Sequence, residues 1–574
     1  MKPLYEALLE YKKNASVVFH MPGHKLGQGF AHDGAFRDPA FFDVTELDAT
    51  DDLHNPQGPL LDAQELAARA FGAGRTWFLV NGSSCGIFAM IAAVRGTGRS
   101  SGRYGYFGQK ILVARDFHYS AFNAMCFAGV RPIYITVNKE NHILNPGCVE
   151  DALNEHPDAM ALYITRPGYF GNVCAIEEIT RIAQKRGVLV LVDEAHGAHL
   201  AFSRRLPVSA LEGGADICVQ SAHKTLPAFT QCAFLHASKK ALSEDIGLEG
   251  RISDALRAFQ TSSPSFLLMA SLDYAREYME LRGESELNRV LDNCESFYVK
   301  MAACGYGIPS DIWPIDAEGG GGGGGSGGDG GGGDGENGDG SSVRMNAYAR
   351  DMTRLVLDTR PIGLSGTEVE RQLWSRYRIK IEMSSPEHIV MIATVSDSDE
   401  NFAALANALK EIAHSGNCSA LVSSAGANKG QALAEAADCD KGSLKAGASG
   451  DNNSTSNKTA SSYENICINN NMSGHHYPAE NTSLDFMTIL HMPKHRLPLS
   501  AAKGHISAEI VAPYPPGIPI LCPGETITRD AIFEIQKLLK EGYIIKGIQQ
   551  EDMTIAECDS SDRGDGTFLS TFGQ

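Results

Sequence analysis

Three short polar stretches each follow directly after an apolar run that is typical of a buried strand. They are NGSSCG (81–86), DEAHGAH (193–199) and SAHKT (221–225). In an open α/β sheet, ligands bind in the crevice outside the carboxyl ends of the strands. We therefore expect the three stretches to meet at one edge of one sheet. Their hydroxyl, carboxylate, imidazole and amine groups could do chemistry together there.

The first stretch precedes the helix-like run IFAMIAAV (87–94). Small residues at a helix N-terminus leave backbone N–H groups free, and such groups hold a phosphate well. A phosphate cradle is therefore one interpretation of residues 81–86. An ordinary strand–helix turn is the alternative, because Gly, Asn and Ser are also common turn residues.

Three interpretations compete for residues 193–199. A helicase box of the DEAH type would require a GxxxxGK[ST] loop upstream, and this sequence has none. A metal site could use Asp193, His196 and His199, whose spacing permits it, but no complementary ligand cluster is evident. In the third interpretation, Asp193 is a strand-end carboxylate that pairs with a protonated ring nitrogen of a cofactor.

The third stretch places Lys224 just behind the apolar run DICVQ (216–220). Burying an ammonium group is costly, so a lysine at this place is either solvated or functional. The functional interpretation is an amine whose pKa is lowered for Schiff-base formation. A phosphate cradle, a partner for a pyridinium nitrogen and a Schiff-base lysine together describe a pyridoxal-phosphate site.

Residues 1 to about 285 contain the elements that must position these groups. Short runs rich in Val, Ile and Leu alternate there with helix-like stretches such as DAQELAARAFGA (62–73) and IEEITRIAQKRG (176–187). This alternation predicts the α/β class, with strands buried on both faces of a mainly parallel sheet. The predicted strands are WFLV (77–80), ILVA (111–114), PIYITV (132–137), ALYIT (161–165), VLVLVD (188–193) and ICVQS (217–221).

Composition divides the chain further. Glycine dominates residues 319–343, and Ser, Asn, Ala and Gly dominate 415–484, so neither tract can form a core and both are predicted to be disordered inserts. Residues 344–414 have two strand-like runs, TRLVLD (353–358) and HIVMIAT (388–394), and helix-like runs over 365–377 and 399–413. The predicted ordered segments are a large domain over 1–285, a connecting helical segment over 286–318, a small α+β domain over 344–414 and a C-terminal domain over 485–574.

Charge and composition exclude several classes of protein. The 574 residues carry 50 Lys and Arg against 69 Asp and Glu, a formal net charge of −19 at pH 7. Such a chain repels a phosphate backbone, so we expect no nucleic acid as a partner. No apolar run of about 18 residues predicts a membrane helix, and the start has no signal-peptide pattern. The 13 dispersed cysteines form no CxxC pair, as in reduced thiols. We expect a cytoplasmic protein, with an upstream plastid transit peptide as the alternative.

Taken in order, the motifs resemble those of the pyridoxal-phosphate-dependent ornithine/lysine/arginine decarboxylases of the prokaryotic type, in the short form without an N-terminal wing domain. The resemblance covers the ordered chain nearly end to end. It implies an aspartate-aminotransferase-like large domain of fold type I, smaller α+β C-terminal domains, pyridoxal 5′-phosphate as the cofactor, no metal, and a homodimer or higher homo-oligomer. The matching stretches are MPGHKLG (21–27), residues 43–73, NGSSCG (81–86), DFHYS (116–120), RPGYFGN (166–172), VDEAHGAHL (192–200), SAHKTLPAFTQ (221–231), TSSPSFLLMASLD (261–273) and YPPGIPILCPGE (514–525).

The resemblance also implies a role for each matching residue. Lys224 would bind the cofactor as a Schiff base, and Asp193 would keep its pyridine nitrogen protonated. His118 would stack on one face of the ring, with Ala195 against the other. Further contacts implied by position are His196 near the phenolic oxygen, Ser83, Ser84, Ser221 and His223 at the phosphate, and Ser263 at the phosphate of the neighbouring subunit.

The expected reaction is the decarboxylation of a basic amino acid. Arginine to agmatine is the first choice by similarity to the short-form enzymes, and lysine and ornithine are the alternatives. Lys224 or a histidine such as His223 would return a proton to Cα, and Glu525 would bind the distal cation of the substrate. An aminotransferase or carbon–sulfur lyase on the same fold is one rival. A catalytically silent cofactor-binding protein is another, but it should have lost Lys224 or Asp193, and both are present.

Overall fold

A computed structural model describes residues 1–309, 350–425 and 489–556, apart from residues 16, 48, 96–108, 139–142, 490, 515–516 and 550. The glycine-rich tract predicted over 319–343 lies outside the described residues, as does the Ser/Asn-rich tract from residue 426 onward. Within the described part, no helix is both long and apolar enough to cross a membrane.

The first part of the chain alternates strands and helices as the sequence predicts, with strand bounds within about two residues of the predicted ones. The strands are β1 Arg75–Leu79, β2 Lys110–Ala114, β3 Arg131–Ile135, β4 Ala161–Thr165, β5 Leu189–Asp193, β6 Ile217–Gln220 and β7 Ala233–Ala237. The helices are α1 Pro3–Asn14, α2 Gly34–Arg37, α3 Pro59–Ala70, α4 Gly82–Val94, α5 Tyr119–Ala128, α6 Pro146–Glu155, α7 Ile176–Lys185, α8 Ala222–Thr225, α9 Lys239–Glu244, α10 Leu248–Phe259 and α11 Phe266–Ala303.

These seven strands form one sheet in the order β1-β7-β6-β5-β4-β2-β3. β7 is antiparallel to both of its neighbours, β1 and β6, and the other pairs are parallel. Six strands therefore run in the same direction and one runs against them. The prediction of an α/β fold with a mainly parallel sheet is confirmed.

Burial on both faces explains why the central strands have nearly continuous apolar sequences. In β4, Leu162 and Ile164 pack into one buried cluster, and Tyr163 between them packs into the other. Side chains alternate across a strand, so each face receives every second residue. Helices α6 and α7 contribute apolar residues to the first cluster, and α4, α5 and α10 contribute to the second.

A second, antiparallel sheet has the order β8-β10-β9. Its strands are β8 Arg354–Asp358, β9 Met383–Ser384 and β10 His388–Ile392, and its helices are α12 Gly366–Gln372, continued by a π-helical turn over Leu373–Tyr377, and α13 Asp399–Ala425. α13 extends beyond residue 413, where the predicted helix ends, into the start of the predicted Ser/Asn-rich insert. Once a helix is nucleated, each added residue gains a hydrogen bond at little further cost.

The long helix α11 joins the two sheets. The hydroxyl of Tyr298 in α11 donates to the carbonyl oxygen of Arg354 at 3.0 Å and accepts from the N–H of Val356 at 3.1 Å. The start of β8 is therefore fixed to α11 by backbone contacts. The predicted boundary at residues 285 and 286 falls inside this helix, and the division into domains remains a prediction.

The last described part is a small α+β unit. Strands β11 Lys494–Pro498, β12 Ile506–Ser507, β15 Ile548–Gln549 and β16 Asp552–Ala556 form one sheet, β13 Ala512–Pro513 pairs with β14 Ile545–Lys546, and helix α14 spans Arg529–Lys540. Its own apolar cluster includes Val511, Ile527 and Ile535.

Candidate active site

A cavity of about 580 Å³ opens at the carboxyl ends of β5 and β6. This is the edge of the sheet where the sequence predicts that the three polar stretches meet. Nine predicted site residues line it: Ser83, Ser84, His118, Asp193, Ala195, His196, Ser221, His223 and Lys224. The structure therefore brings all three stretches together around one space.

One wall of the cavity is the N-terminus of α4. The helix starts at Gly82, whose φ of +75° is in the left-handed region that favours glycine, and the side chain of Asn81 does not cap it. The first N–H groups of a helix have no partner within the helix and attract anions. The hydroxyl of Ser221 donates to that of Ser83 at 2.9 Å, so two hydroxyls join these N–H groups. This wall is suited to a phosphate.

Asp193 ends β5 and is 2% exposed. One carboxylate oxygen accepts from the N–H of Ala195 at 3.1 Å and the other from the hydroxyl of Tyr163 at 3.1 Å. Burial raises the pKa of Asp193, and the charge of Lys224 and these two donors oppose the rise. A buried carboxylate of this kind gains from a cationic partner, which a protonated ring nitrogen would provide.

A second carboxylate, that of Asp116, also lines the cavity. Burial and the charge of Asp193 raise the pKa of Asp116 to about 7. Its Oδ1 has no hydrogen-bond partner among the described residues. Ionising Asp116 and Asp193 together costs free energy, because both carboxylates are buried and near each other. We therefore expect only the carboxylate that contacts a cation to be ionised.

Lys224 lies in the short helix α8, directly after β6, and its Nζ is 3.1 Å from Nε2 of His196. Burial lowers the pKa of Lys224, against the charge of Asp193. Burial also lowers the pKa of His196, and the positive charge of Lys224 adds to this effect. The amine is thus held in a desolvated place, as a nucleophilic lysine requires.

Two further histidines line the cavity without positive charge. His118 caps α5, where its Nδ1 accepts from the N–H of Ser120 at 3.3 Å, and burial lowers the pKa of His118 to about 4. His223 donates from Nδ1 to the carbonyl oxygen of Cys232 at 2.9 Å, and burial lowers the pKa of His223 as well. A neutral imidazole ring can stack on an aromatic group without repelling a nearby cation.

Two predicted site residues lie elsewhere in the part of the chain that the structure describes. Ser263 is exposed, and its N–H bonds to Oγ1 of Thr261. Glu525 is not among the residues that line the cavity: its carboxylate accepts from Nη2 of Arg115 at 3.3 Å and from the N–H of Cys522 at 2.8 Å. The roles assigned to Ser263 and Glu525 remain predictions.

Besides Asp116, four side chains at or beside the cavity are not predicted as site residues from the sequence. Tyr163 contacts Asp193, Tyr169 and Glu382 line the cavity with a hydrogen bond of 2.7 Å between them, and Arg354 donates to His196. Tyr169 belongs to the quoted stretch RPGYFGN and Arg354 to the predicted strand TRLVLD, so both lie within recognised segments. Glu382 lies in an unremarkable stretch that carries no motif.

The alternative of a metal site does not gain support from His199. Its Nε2 lies 3.1 Å from Oδ2 of Asp351 and 3.2 Å from Oγ1 of Thr353, and the side chain is absent from the cavity lining. Across residues 1–309, 350–425 and 489–556, gaps aside, no group of three or more His, Cys, Asp or Glu side chains is arranged to hold a metal ion.

A lysine whose pKa is lowered by burial, a buried aspartate and a helix N-terminus at one edge of an α/β sheet are typical of enzymes that use a phosphorylated aldehyde cofactor. Comparison with known families agrees. Residues 2–316 match the family model described as Orn/Lys/Arg decarboxylase, major domain, and residues 473–542 match its C-terminal domain. The chain therefore belongs to the Orn/Lys/Arg decarboxylase family and is a carboxy-lyase of amino acids, as the sequence motifs predict.

Individual relatives match over most of the chain. The sequence is 32% identical to an arginine decarboxylase of Bacillus subtilis over 565 residues, which cover 96% of each protein. A lysine decarboxylase of Pseudomonas aeruginosa is 24% identical and covers 92% of this chain and 74% of its own length. The solved structure of lysine decarboxylase A from P. aeruginosa has a TM-score of 0.68 at 17% identity, covering 97% of this chain and 80% of that chain. At this identity the last similarity shows the fold alone.

Proposed function

We propose that the protein converts arginine to agmatine and carbon dioxide, a step in polyamine biosynthesis, with pyridoxal 5′-phosphate as its cofactor. Among the relatives above, the one that matches over nearly the whole of both proteins is named an arginine decarboxylase, and the lysine decarboxylase is less similar. This similarity supports arginine over lysine. Ornithine remains the third basic substrate to be tested.

The residues around the cavity fit this cofactor. The N-terminus of α4, with Ser83, Ser84 and Ser221, suits a phosphate group. Asp193 suits a protonated ring nitrogen, and Lys224 suits an aldehyde carbon. His118 and Ala195, which both line the cavity, would contact opposite faces of the ring, with His196 near its phenolic oxygen and His223 beside the phosphate. When bound, the cofactor supplies a conjugated system that accepts the electron pair released from Cα.

The residues of this chain then have three tasks. Asp193 would hold the ring nitrogen in its protonated form, and the donors Tyr163 and Ala195 favour the ionised carboxylate that this needs. Lys224 would deliver a proton to Cα from its Nζ, and His223 is the second candidate for that step. The apolar part of the cavity wall, which includes Ile87, Ile392 and Ile518, would limit the access of water to Cα when the cavity is filled.

The leaving carboxylate should remain free of a strong ion pair, because such a pair would stabilise the ground state as much as the transition state. For the distal cation of the substrate, Glu525 remains the sequence prediction. Glu382 is the acidic residue of the second sheet that lines the cavity. The family also implies a homodimer, in which Ser263 would contact the phosphate bound by the neighbouring subunit.

One observation carries the proposal: Lys224, Asp193, His118 and the N-terminus of α4 surround one cavity in a chain of this family. The test is to load the purified protein with pyridoxal phosphate and to measure amine and carbon dioxide release from arginine, lysine and ornithine in parallel. We expect agmatine from arginine as the main product. A keto acid without carbon dioxide would contradict decarboxylation and favour an aminotransferase, and main activity on lysine or ornithine would contradict the choice of substrate.

A further inference from the structure

Three side chains from separate parts of the chain form a series of contacts beside the cavity. Arg354, the first residue of β8, donates from Nη2 to Nδ1 of His196 at 2.9 Å. Nε2 of the same ring lies 3.1 Å from Nζ of Lys224. Arg354 is fully buried, and it reaches His196 from the second sheet across 158 residues of sequence. The lysine is therefore linked through one imidazole ring to a permanent cation.

The types of donor and acceptor determine where the protons lie. A guanidinium group has only N–H donors and stays charged in proteins, so Nδ1 of His196 must accept. A neutral imidazole that accepts at Nδ1 carries its proton on Nε2. That proton points at Nζ of Lys224, which can accept it only if the lysine is an uncharged amine. An ammonium at Nζ would place two donors against each other at 3.1 Å.

We propose that Arg354 is a positioning residue, which fixes His196 with its proton on Nε2 and thereby holds Lys224 as an uncharged, nucleophilic amine. Only the identity of the aldehyde that this amine receives rests on the proposed function. Schiff-base formation needs the free amine, so the arrangement prepares Lys224 before the cofactor arrives.

The surrounding charges are consistent with this arrangement. Burial lowers the pKa of Lys224, and Arg354 lowers it further, whereas Asp193 and Glu382 raise it. Burial lowers the pKa of His196, and the charge of Arg354 lowers it further. Asp193 and Glu382 alone would favour the ammonium form of Lys224. The contacts from Arg354 through His196 must outweigh this effect.

The contacts of Arg354 are not those of an arginine that merely holds the fold. Its Nε and Nη1 have no hydrogen-bond partner among the described residues, although such groups are nearly always satisfied when buried. The backbone is held separately: Tyr298 donates to the carbonyl oxygen of Arg354, and Arg354 pairs with Ile392 in the second sheet. Loss of the side chain should therefore leave β8 in place.

The experiment measures the reactivity of Lys224 in the protein freed of cofactor. An amine-reactive acylating reagent is added at a series of pH values, and mass spectrometry follows the peptides that contain Lys224 and Lys239, an exposed lysine that serves as the internal control. The matched variants are Arg354→Met and Arg354→Lys. Both keep a long unbranched side chain, but only Lys keeps a charged N–H donor for Nδ1 of His196. Thermal unfolding of each variant checks the fold.

We expect Lys224 to react at lower pH than Lys239 in the unsubstituted protein. In Arg354→Met its labelling at pH 8 should slow by about fivefold, the effect of one hydrogen bond, while Arg354→Lys keeps most of the rate. Equal slowing in both variants would overturn the proposal, because a cationic donor beside His196 would then have no effect on Lys224. A rate unchanged in Arg354→Met, or a Lys224 that needs higher pH than Lys239, would also overturn it. None of these results depends on turnover, so failure of the decarboxylase assignment would be seen separately.

Discussion

The two sides of the cavity are built in different ways. On the side of the large sheet, Asp193, Ser221 and Lys224 each lie within a few residues of the end of a buried strand, so the register of β5 and β6 fixes their positions. On the opposite side, Arg354 begins β8 of the second sheet and Glu382 directly precedes β9. That sheet is held by α11 through Tyr298 and by the contact of Asp351 with His199. We propose that the first side carries the reacting groups and that the second adjusts their charge.

Hydrogen bonding shows the same contrast. Both carboxylate oxygens of Asp193 have a donor, whereas two of the nitrogens of Arg354 have no partner among the described residues. A fully bonded group is fixed in one geometry, while a group with spare donors can respond to what enters the cavity. We therefore expect substitutions on the sheet side to stop the reaction and substitutions on the other side to change its rate or selectivity.

The largest expected effect is that of Lys224→Ala, on the sheet side. Loss of both the Schiff-base amine and a proton donor should lower kcat for arginine by roughly 10³-fold or more. The measurement is agmatine formation, with thermal unfolding as the control for folding. A variant that keeps full turnover would remove the catalytic role from this residue and from the sheet side as a whole.

Asp193→Asn tests the same side with a smaller change. Without the negative charge, the ring nitrogen loses its partner, and kcat should fall by roughly 10²–10³-fold. Stability should change in the opposite direction. Burial raises the pKa of Asp193 in the folded protein. At pH values above the ordinary pKa of an aspartate, keeping this carboxylate ionised therefore lowers the free energy of unfolding.

The cofactor-free Asn variant should therefore unfold at a higher temperature than the unsubstituted protein at pH 8, and the difference should vanish below the ordinary pKa of an aspartate. Thermal unfolding over a pH series checks both statements. A variant that is less stable than its parent at pH 8 would show that Asp193 holds the fold rather than the cofactor.

Asp351→Asn tests the connection between the two sides. The carboxylate of Asp351 lies 3.1 Å from Nε2 of His199, and both side chains are buried. Although burial alone would raise it, the charge and hydrogen bond of His199 hold the pKa of Asp351 at about 2. The contact with His199 therefore favours the ionised carboxylate of Asp351. The stability that this adds is present above the ordinary aspartate pKa and is lost as the pH falls toward about 2.

Breaking this pair should lower the free energy of unfolding at pH 7 by about 3 kcal/mol. Denaturant unfolding at pH 7 and at pH 3 measures the difference, which should be smaller at pH 3. An equal loss at both pH values would mean that Asp351 acts through its bonds to Thr353 rather than through its charge.

The same contrast decides what could be predicted from the sequence. Asp193 and Lys224 follow apolar runs, and strand ends meet at one edge of a parallel sheet, so the fold class and the sheet side of the site follow from local pattern. Arg354 lies in a predicted strand, but its partner His196 is 158 residues away, and no local pattern encodes that contact. The contact between Arg115 and Glu525, 410 residues apart, is of the same kind.

The smallest effect concerns the distal cation of the substrate, for which the two sides offer different carboxylates. Glu382 lines the cavity and accepts from the hydroxyl of Tyr169, whereas the carboxylate of Glu525 is occupied by Arg115. Glu382→Gln keeps the acceptor but removes the charge, so KM for arginine should rise by about tenfold, the effect of one charge-assisted hydrogen bond. Glu525→Gln, the matched variant, should raise KM by less than about threefold, because the carboxylate of Glu525 is already paired with Arg115 in a partly exposed ion pair.

Tyr169→Phe, which keeps the charge of Glu382, controls for loss of the hydrogen bond. Steady-state kinetics with arginine and with its uncharged isostere citrulline would separate the cases. A larger effect from Glu525→Gln would support Glu525 as the residue that binds the distal cation. Recognition of the substrate would then lie in the C-terminal unit rather than beside the second sheet.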